Sequence, residues 1–140
     1  MRRKYMIPRA FCIVIALVFF LFQNSCRSVT DPADSITYEA VYVDSLIVAD
    51  TVSAGIPVVV RIKGGLPDPS WTFDHFDIRT DYSTVYVQPI GKKNPSTGPV
   101  PQVIIPYDEA FKFTFFRTGQ RTIMAIGRVN TLIKRITIEM

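Results

Sequence analysis

From Ile36 onward the apolar residues of this chain recur at every second position, and no stretch repeats with the 3.6-residue period of a helix. Val58, Val60 and Ile62 alternate with Val59, Arg61 and Lys63, and Val85 and Val87 oppose Tyr86 and Gln88. Phe111, Phe113 and Phe115 oppose Lys112 and Thr114, and Ile136 and Ile138 oppose Arg135, Thr137 and Glu139. Successive strand side chains point to opposite faces, so each run reads as a strand with one buried and one wet face. Phe76 and Ile78 set against His75, Asp77 and Arg79 add another run, while Tyr38 to Val48 suits one long strand or two short ones. A chain built this way must cover one sheet face with another.

The runs are separated by turn residues: Gly55 with Pro57, Gly64 to Pro69, Asp81-Tyr82-Ser83, Gly91 to Pro101, Thr118-Gly119-Gln120 and Asn130-Thr131. This spacing predicts an all-β fold, an antiparallel two-sheet sandwich of roughly seven or eight strands. With its phenylalanine-rich core, a sandwich of this length resembles the immunoglobulin-like or fibronectin type III group. The chain has no cysteine pair bracketing Trp71 and no clear tyrosine counterpart around Arg121 to Ile123. A prealbumin-like sandwich stays open beside it.

Ahead of the sandwich stands a different kind of segment. Arg2, Arg3, Lys4 and Arg9 precede an unbroken apolar run from Ala10 to Phe22, followed by Gln23-Asn24-Ser25-Cys26. A charged start, a short apolar core and a small residue before a cleavage point make residues 1–25 a secretory signal peptide. As a helix the apolar run would reach only about 20 Å, short of a hydrocarbon core about 30 Å thick, so a membrane span is the weaker reading.

Removing that segment changes the charge. The formal net charge of +4 is carried by the four basic residues of the leader, which holds no Asp or Glu. From Cys26 onward the chain has 12 acidic and 12 basic side chains. A neutral mature chain lacks the basic excess that nucleic-acid binding requires, so no nucleic-acid partner is expected. Cys12 would leave with the leader, so Cys26 is the only cysteine to survive and no internal disulfide can form. The remaining chain is long enough for one self-sufficient core without one. An unpaired thiol is a liability in an oxidising compartment, which favours a sulfur that is chemically occupied.

The four positive charges, the apolar core and Ser25-Cys26 resemble the signal of bacterial lipoproteins, in which the cysteine sulfur receives a diacylglyceryl group and the cysteine becomes the new amino terminus. Gln23 and Asn24 stand where that family usually has an aliphatic and a small residue. The resemblance implies lipidation at Cys26 and a membrane partner reached through that lipid. Arg27 stands where some Gram-negative lipoproteins carry the aspartate that retains them at the inner membrane, so the outer membrane is the preferred location. Ordinary secretion, with a cut after Ser28, is the alternative. The expected organisation is thus a signal peptide over 1–25, a lipidated cysteine and tether over 26–35, and the sandwich over 36–140.

Candidate chemistry is sparse. His75 is the only histidine, and strict alternation would place it on one face with Asp77, about 7 Å away, with Asp74 on the other. A metal would need further ligands from neighbouring strands, and no second His or suitable Cys exists to supply them. Asp108-Glu109 is an adjacent acidic pair whose side chains diverge in an extended chain, unlike a glycosidase pair. No cofactor or metal is expected. Trp71 reads as a core cap or an exposed contact for sugar or protein. Lys92, Lys93 and Asn94 open the Pro- and Gly-rich loop, a solvated connection or a binding loop for anionic headgroups or an acidic partner.

The expected function is a non-catalytic β-sandwich that binds, or gives structural support, in the bacterial cell envelope, with a protein or envelope partner. One competing class is a soluble exported enzyme or metal-binding protein centred on His75, Asp77 and Asp108. Another is a subunit docking through a strand edge.

Overall fold

The structure is a computed structural model, and it describes residues 35–95 and 98–140. The expected signal peptide, Cys26 and the tether up to residue 34 lie outside the described residues, as do Ser96 and Thr97. Among the described residues the strands are β1 (Thr37–Ala40), β2 (Tyr42–Ile47), β3 (Thr51–Ser53), β4 (Pro57–Leu66), β5 (Trp71–Thr80), β6 (Thr84–Lys93), β7 (Ile105–Thr114), β8 (Gly119–Ile126) and β9 (Thr131–Glu139).

Two sheets result. One has six strands in the order β1-β6-β8-β9-β3, with β5 also paired to β6, and the other has three in the order β2-β4-β7. Strand β5 takes one edge of β6 from Val85 to Lys93. The opposite edge is shared in succession, by β8 at residues 84–87 and by β1 at residues 90–93. The three-stranded sheet is antiparallel throughout, as expected. The larger sheet is not, because β3 with β9 and β6 with β8 are parallel pairs. Between β6 and β8 the chain crosses to the other sheet as β7, and a crossover of that kind lets it return beside β6 in the same direction.

Strand β4 shows why the alternating sequence folds this way. Val58, Val60 and Ile62 are buried while Val59, Arg61 and Lys63 face solvent. They meet Val85 and Val87 of β6, Ile123 and Ala125 of β8, and Ile136 and Ile138 of β9 in one core, joined by Val41, Val43, Leu66, Trp71, Tyr107 and Phe115. Burying each such aliphatic side chain contributes about 1.5–3 kcal/mol against leaving it in water.

The strand count exceeds the expected seven or eight for two local reasons. Tyr38 to Val48 splits at Val41, whose amide donates to the Pro89 carbonyl (3.1 Å) and whose carbonyl accepts from the Arg128 amide (2.9 Å), sending β1 and β2 into different sheets. Thr51–Ser53 adds a three-residue strand along β9.

Two glycine segments expected as turns lie inside strands instead. Gly64 and Gly65 belong to β4. A side chain at Gly64 would place its Cβ 1.9 Å from the Tyr42 carbonyl oxygen, so the residue is a point of close strand approach. Gly91, Lys92 and Lys93 continue β6, held by β1 on one edge and β5 on the other, so the irregular loop starts at Asn94 rather than Gly91.

Strand β5 carries a bulge. Its register jumps from Phe73 opposite Gly91 to His75 opposite Ile90, leaving Asp74 without a cross-strand partner. Phe73 and Phe76, three residues apart, are therefore both turned inward. Phe73 stacks on Tyr107 at 5.6 Å between ring centroids, and Phe76 meets Phe111 at 5.0 Å.

Candidate functional site

Strand β6 defines the two ends of the sandwich. Its ten residues span about 30 Å, from Thr84 at one end to Lys93 at the other. Thr37, the first residue of β1, pairs with Lys93, so the chain enters the sandwich at the Lys93 end.

The residues singled out from the sequence as a binding loop gather at that same end. Trp71 pairs with Lys93 and is 6% exposed, its ring part of the core. Its amide donates to the Asp68 carbonyl at 3.1 Å. The Asp68 carboxylate accepts from the Ser70 hydroxyl (2.5 Å) and amide (2.8 Å). The hydroxyl bond, opposed by burial, holds the Asp68 carboxyl below the usual carboxylate range, with help from the Ser70 amide and the charge of Lys93. Lys92 is half-buried, while Lys93 and Asn94 are exposed. The Asn94 amide donates to the Ser70 carbonyl at 2.9 Å, tying the start of the loop to the turn before β5.

The acidic residues and the histidine considered for chemistry do not converge. The bulge brings His75 and Asp74 together, Nδ1 lying 2.6 Å from a carboxylate oxygen, where strict alternation would have separated them. Asp77 pairs with Arg79 at 2.9 Å. Asp108 is gripped by Arg61, whose Nε and Nη2 lie 2.5 and 3.0 Å from its two oxygens, and by Lys63 at 3.0 Å. Those bonds, the one from Arg61 first, hold the Asp108 carboxyl below its ordinary range. Among the described residues no group of three or more His, Cys, Asp or Glu side chains could hold a metal ion.

A second assembly occupies the Thr84 end. The turn between β5 and β6 is closed by the Asp81 amide donating to Thr84 (2.8 Å), while the Asp81 carboxylate accepts from the Tyr82 amide (2.6 Å). This leaves the Tyr82 ring 79% exposed. The Thr122 amide of β8 donates to the Ser83 carbonyl (2.9 Å), which fixes Arg121 beside the turn. The Gly55 amide donates to the Phe115 carbonyl (2.8 Å), so Ile56 and Phe116, 60% and 83% exposed, share this end.

A cleft of about 610 Å³ opens here, floored by Val85, Phe113 and Phe115 and bordered by Tyr82, Phe116, Lys112, Arg117 and Arg121. The guanidinium carbons of Arg117 and Arg121 lie 6.0 and 5.9 Å from the centroid of the Tyr82 ring, at cation–π range. Among the described residues Lys112, Arg117 and Arg121 have no carboxylate in ion-pair range, whereas Arg61, Lys63, Arg79, Arg128 and Lys134 each do. Asp81 is the one carboxylate among the lining residues, against three cations.

Sequence reasoning missed this site, reading Tyr82 as a turn residue. One signal was available. After Phe111, Phe113 and Phe115, the alternation places Phe116 outward, an exposed aromatic directly followed by Arg117. Arg121 carried no such signal, because it reaches the turn only through the non-local parallel pairing of β6 with β8.

No protein-family model matches this chain, and neither do any of the curated proteins or solved structures compared with it.

Proposed function

We propose that this chain is a bacterial cell-envelope lipoprotein, anchored through lipid on Cys26, whose immunoglobulin-like sandwich is a non-catalytic binding module. The observation that carries the reading is the separation of the two ends. The chain enters beside Lys93, and the exposed cleft with its unneutralised cations lies at the far end of β6. A lipid on Cys26 would hold the first end toward the membrane, with Lys92 and Lys93 available to anionic headgroups, and would present the second outward. Two acyl chains make a stable anchor where one makes a marginal one.

The immunoglobulin-like assignment draws on the two packed sheets and the length of the domain, with the two parallel pairs as departures from the wholly antiparallel form. Binding is favoured over catalysis because His75 and Asp108 are each engaged by immediate neighbours. Docking through a strand edge has its own support, since β5 and β7 each pair along one side only. Both edges nonetheless carry features that blunt pairing: the bulge at Asp74 on β5, and Pro106, Asp108 and Glu109 on β7.

Mass spectrometry of the mature amino terminus tests the anchor. The expected species begins at a diacylglyceryl-modified Cys26, and an unmodified start at Val29 would remove the anchor from the proposal. Substituting His75→Ala tests the other half, with the fold and ligand binding expected to persist.

A further inference from the structure

We infer that the cleft at the Thr84 end binds an acidic segment of a partner protein, one that sets an apolar side chain between carboxylates. The inference rests on the binding-module reading above and is independent of the lipid on Cys26. Three observations lead to it. Tyr82, Phe116 and Arg117 are exposed at the cleft and Arg121 is half-buried, and aromatic residues and arginine are the types enriched where proteins meet. The cations there lack carboxylate partners among the described residues, so a ligand bringing carboxylates would complete bonds that the fold leaves open.

The third observation is the pairing of two guanidinium groups with one ring. Arginine presents a planar fork that matches a carboxylate through two parallel hydrogen bonds. With both guanidinium carbons within 6.0 Å of the Tyr82 centroid, the two forks are no more than about 12 Å apart, a spacing that nearby side chains of one extended segment can bridge. Val85, Phe113 and Phe115, which line the same cleft, offer an apolar seat beside them. A volume of about 610 Å³ suits a short segment rather than the face of a whole domain.

The test is a titration of the isotopically labelled mature chain, in zwitterionic detergent, with the acetylated peptide EELFEE and its neutral counterpart QQLFQQ, followed by amide chemical shifts. The expected result is saturable shifts at Tyr82, Phe116, Arg117 and Arg121 with the acidic peptide only, weakened when salt is raised to about 0.5 M. Replacing both arginines (Arg117→Gln with Arg121→Gln) is expected to weaken binding at least about tenfold, and Phe116→Ser to weaken it severalfold. Unchanged spectra elsewhere would show the variants folded. Equal shifts with both peptides, no shifts at about 5 mM peptide, or the same residues responding to phosphatidylglycerol vesicles but not to the peptide would each overturn the inference. The outcome does not depend on the mass of the amino terminus, so failure here and failure of the anchor are separable.

Discussion

The Tyr107 hydroxyl of β7 donates a 2.9 Å hydrogen bond to the Tyr42 carbonyl of β2, reaching across β4 at Gly64. The bond joins the two outer strands of the three-stranded sheet over Gly64, where β4 carries no side chain to block it. A Cβ at Gly64 would meet the Tyr42 oxygen at 1.9 Å and the Tyr107 ring at 2.9 Å. Tyr107→Phe is therefore expected to cost about 1–2 kcal/mol by losing the bond, and Gly64→Ala more, because β2 has to move. Thermal unfolding of both variants, with the alanine protein melting lower, checks this order.

The same hydroxyl sets a pH dependence. Burial, with a smaller contribution from the charge of Asp44, pushes Tyr107 ionisation well above its ordinary value. The unfolded chain releases that proton first, so the stabilisation is complete below about pH 10 and declines above it, toward the raised folded value. Wild-type stability is expected to fall more steeply above pH 10 than that of Tyr107→Phe. Parallel slopes in urea melts across that range would contradict this account of Tyr107.

Ile62 and Ile133 separate core from surface in a single residue type. Ile62 is fully buried in β4, whereas Ile133 of β9 is 61% exposed. Ile62→Ala is expected to cost about 2–5 kcal/mol through lost burial and the cavity left behind. Ile133→Ala is expected to change stability by no more than about 0.5 kcal/mol. Chemical denaturation with matched slopes distinguishes them.

Asp108 offers a test in acid. Its carboxyl is held below the ordinary range by hydrogen bonds from Arg61 and then Lys63, so its stabilisation is present above about pH 4 and is lost as pH falls through the lowered folded value. The site is exposed, and salt screens such pairs. Asp108→Asn is expected to differ from wild type slightly at neutral pH and low salt, and to converge with it in strong acid. Denaturation midpoints at several pH values would show the convergence.

How much of this was legible in the sequence depended on whether a residue's neighbours were local. Strands β4, β7 and β9 were readable because a single buried face imprints alternation directly. Strand β3 was not, since three residues give no period and its partner β9 lies far along the chain. The Gly91-Lys92-Lys93 segment has poor intrinsic strand character and is extended because β1 and β5 hold both of its edges. The bulge at Asp74 shifted the face of His75 by one residue, which alternation alone cannot reveal. At the candidate site, the alternation of β7 carried on to Phe116 put an aromatic on the outer side, which could be seen, while Tyr82 and Arg121 met only through strand pairing.

Gly91 shows the same dependence in a form that can be measured. A Cβ there would fall 2.5 Å from a methyl carbon of Val41 and 3.2 Å from the Trp71 ring, so the absent side chain leaves room for both to pack close to β6. Backbone strain is not involved, because Gly91 is not among the residues with positive φ. Gly91→Ala is therefore expected to act through packing, forcing Val41 or Trp71 to move and costing about 1–3 kcal/mol. Trp71 is the only tryptophan, so its emission reports the site directly. A red-shifted maximum and a lowered melting point are expected together. A destabilised variant whose emission stays at the wild-type wavelength would place the strain on Val41 and the β1 to β2 crossing instead.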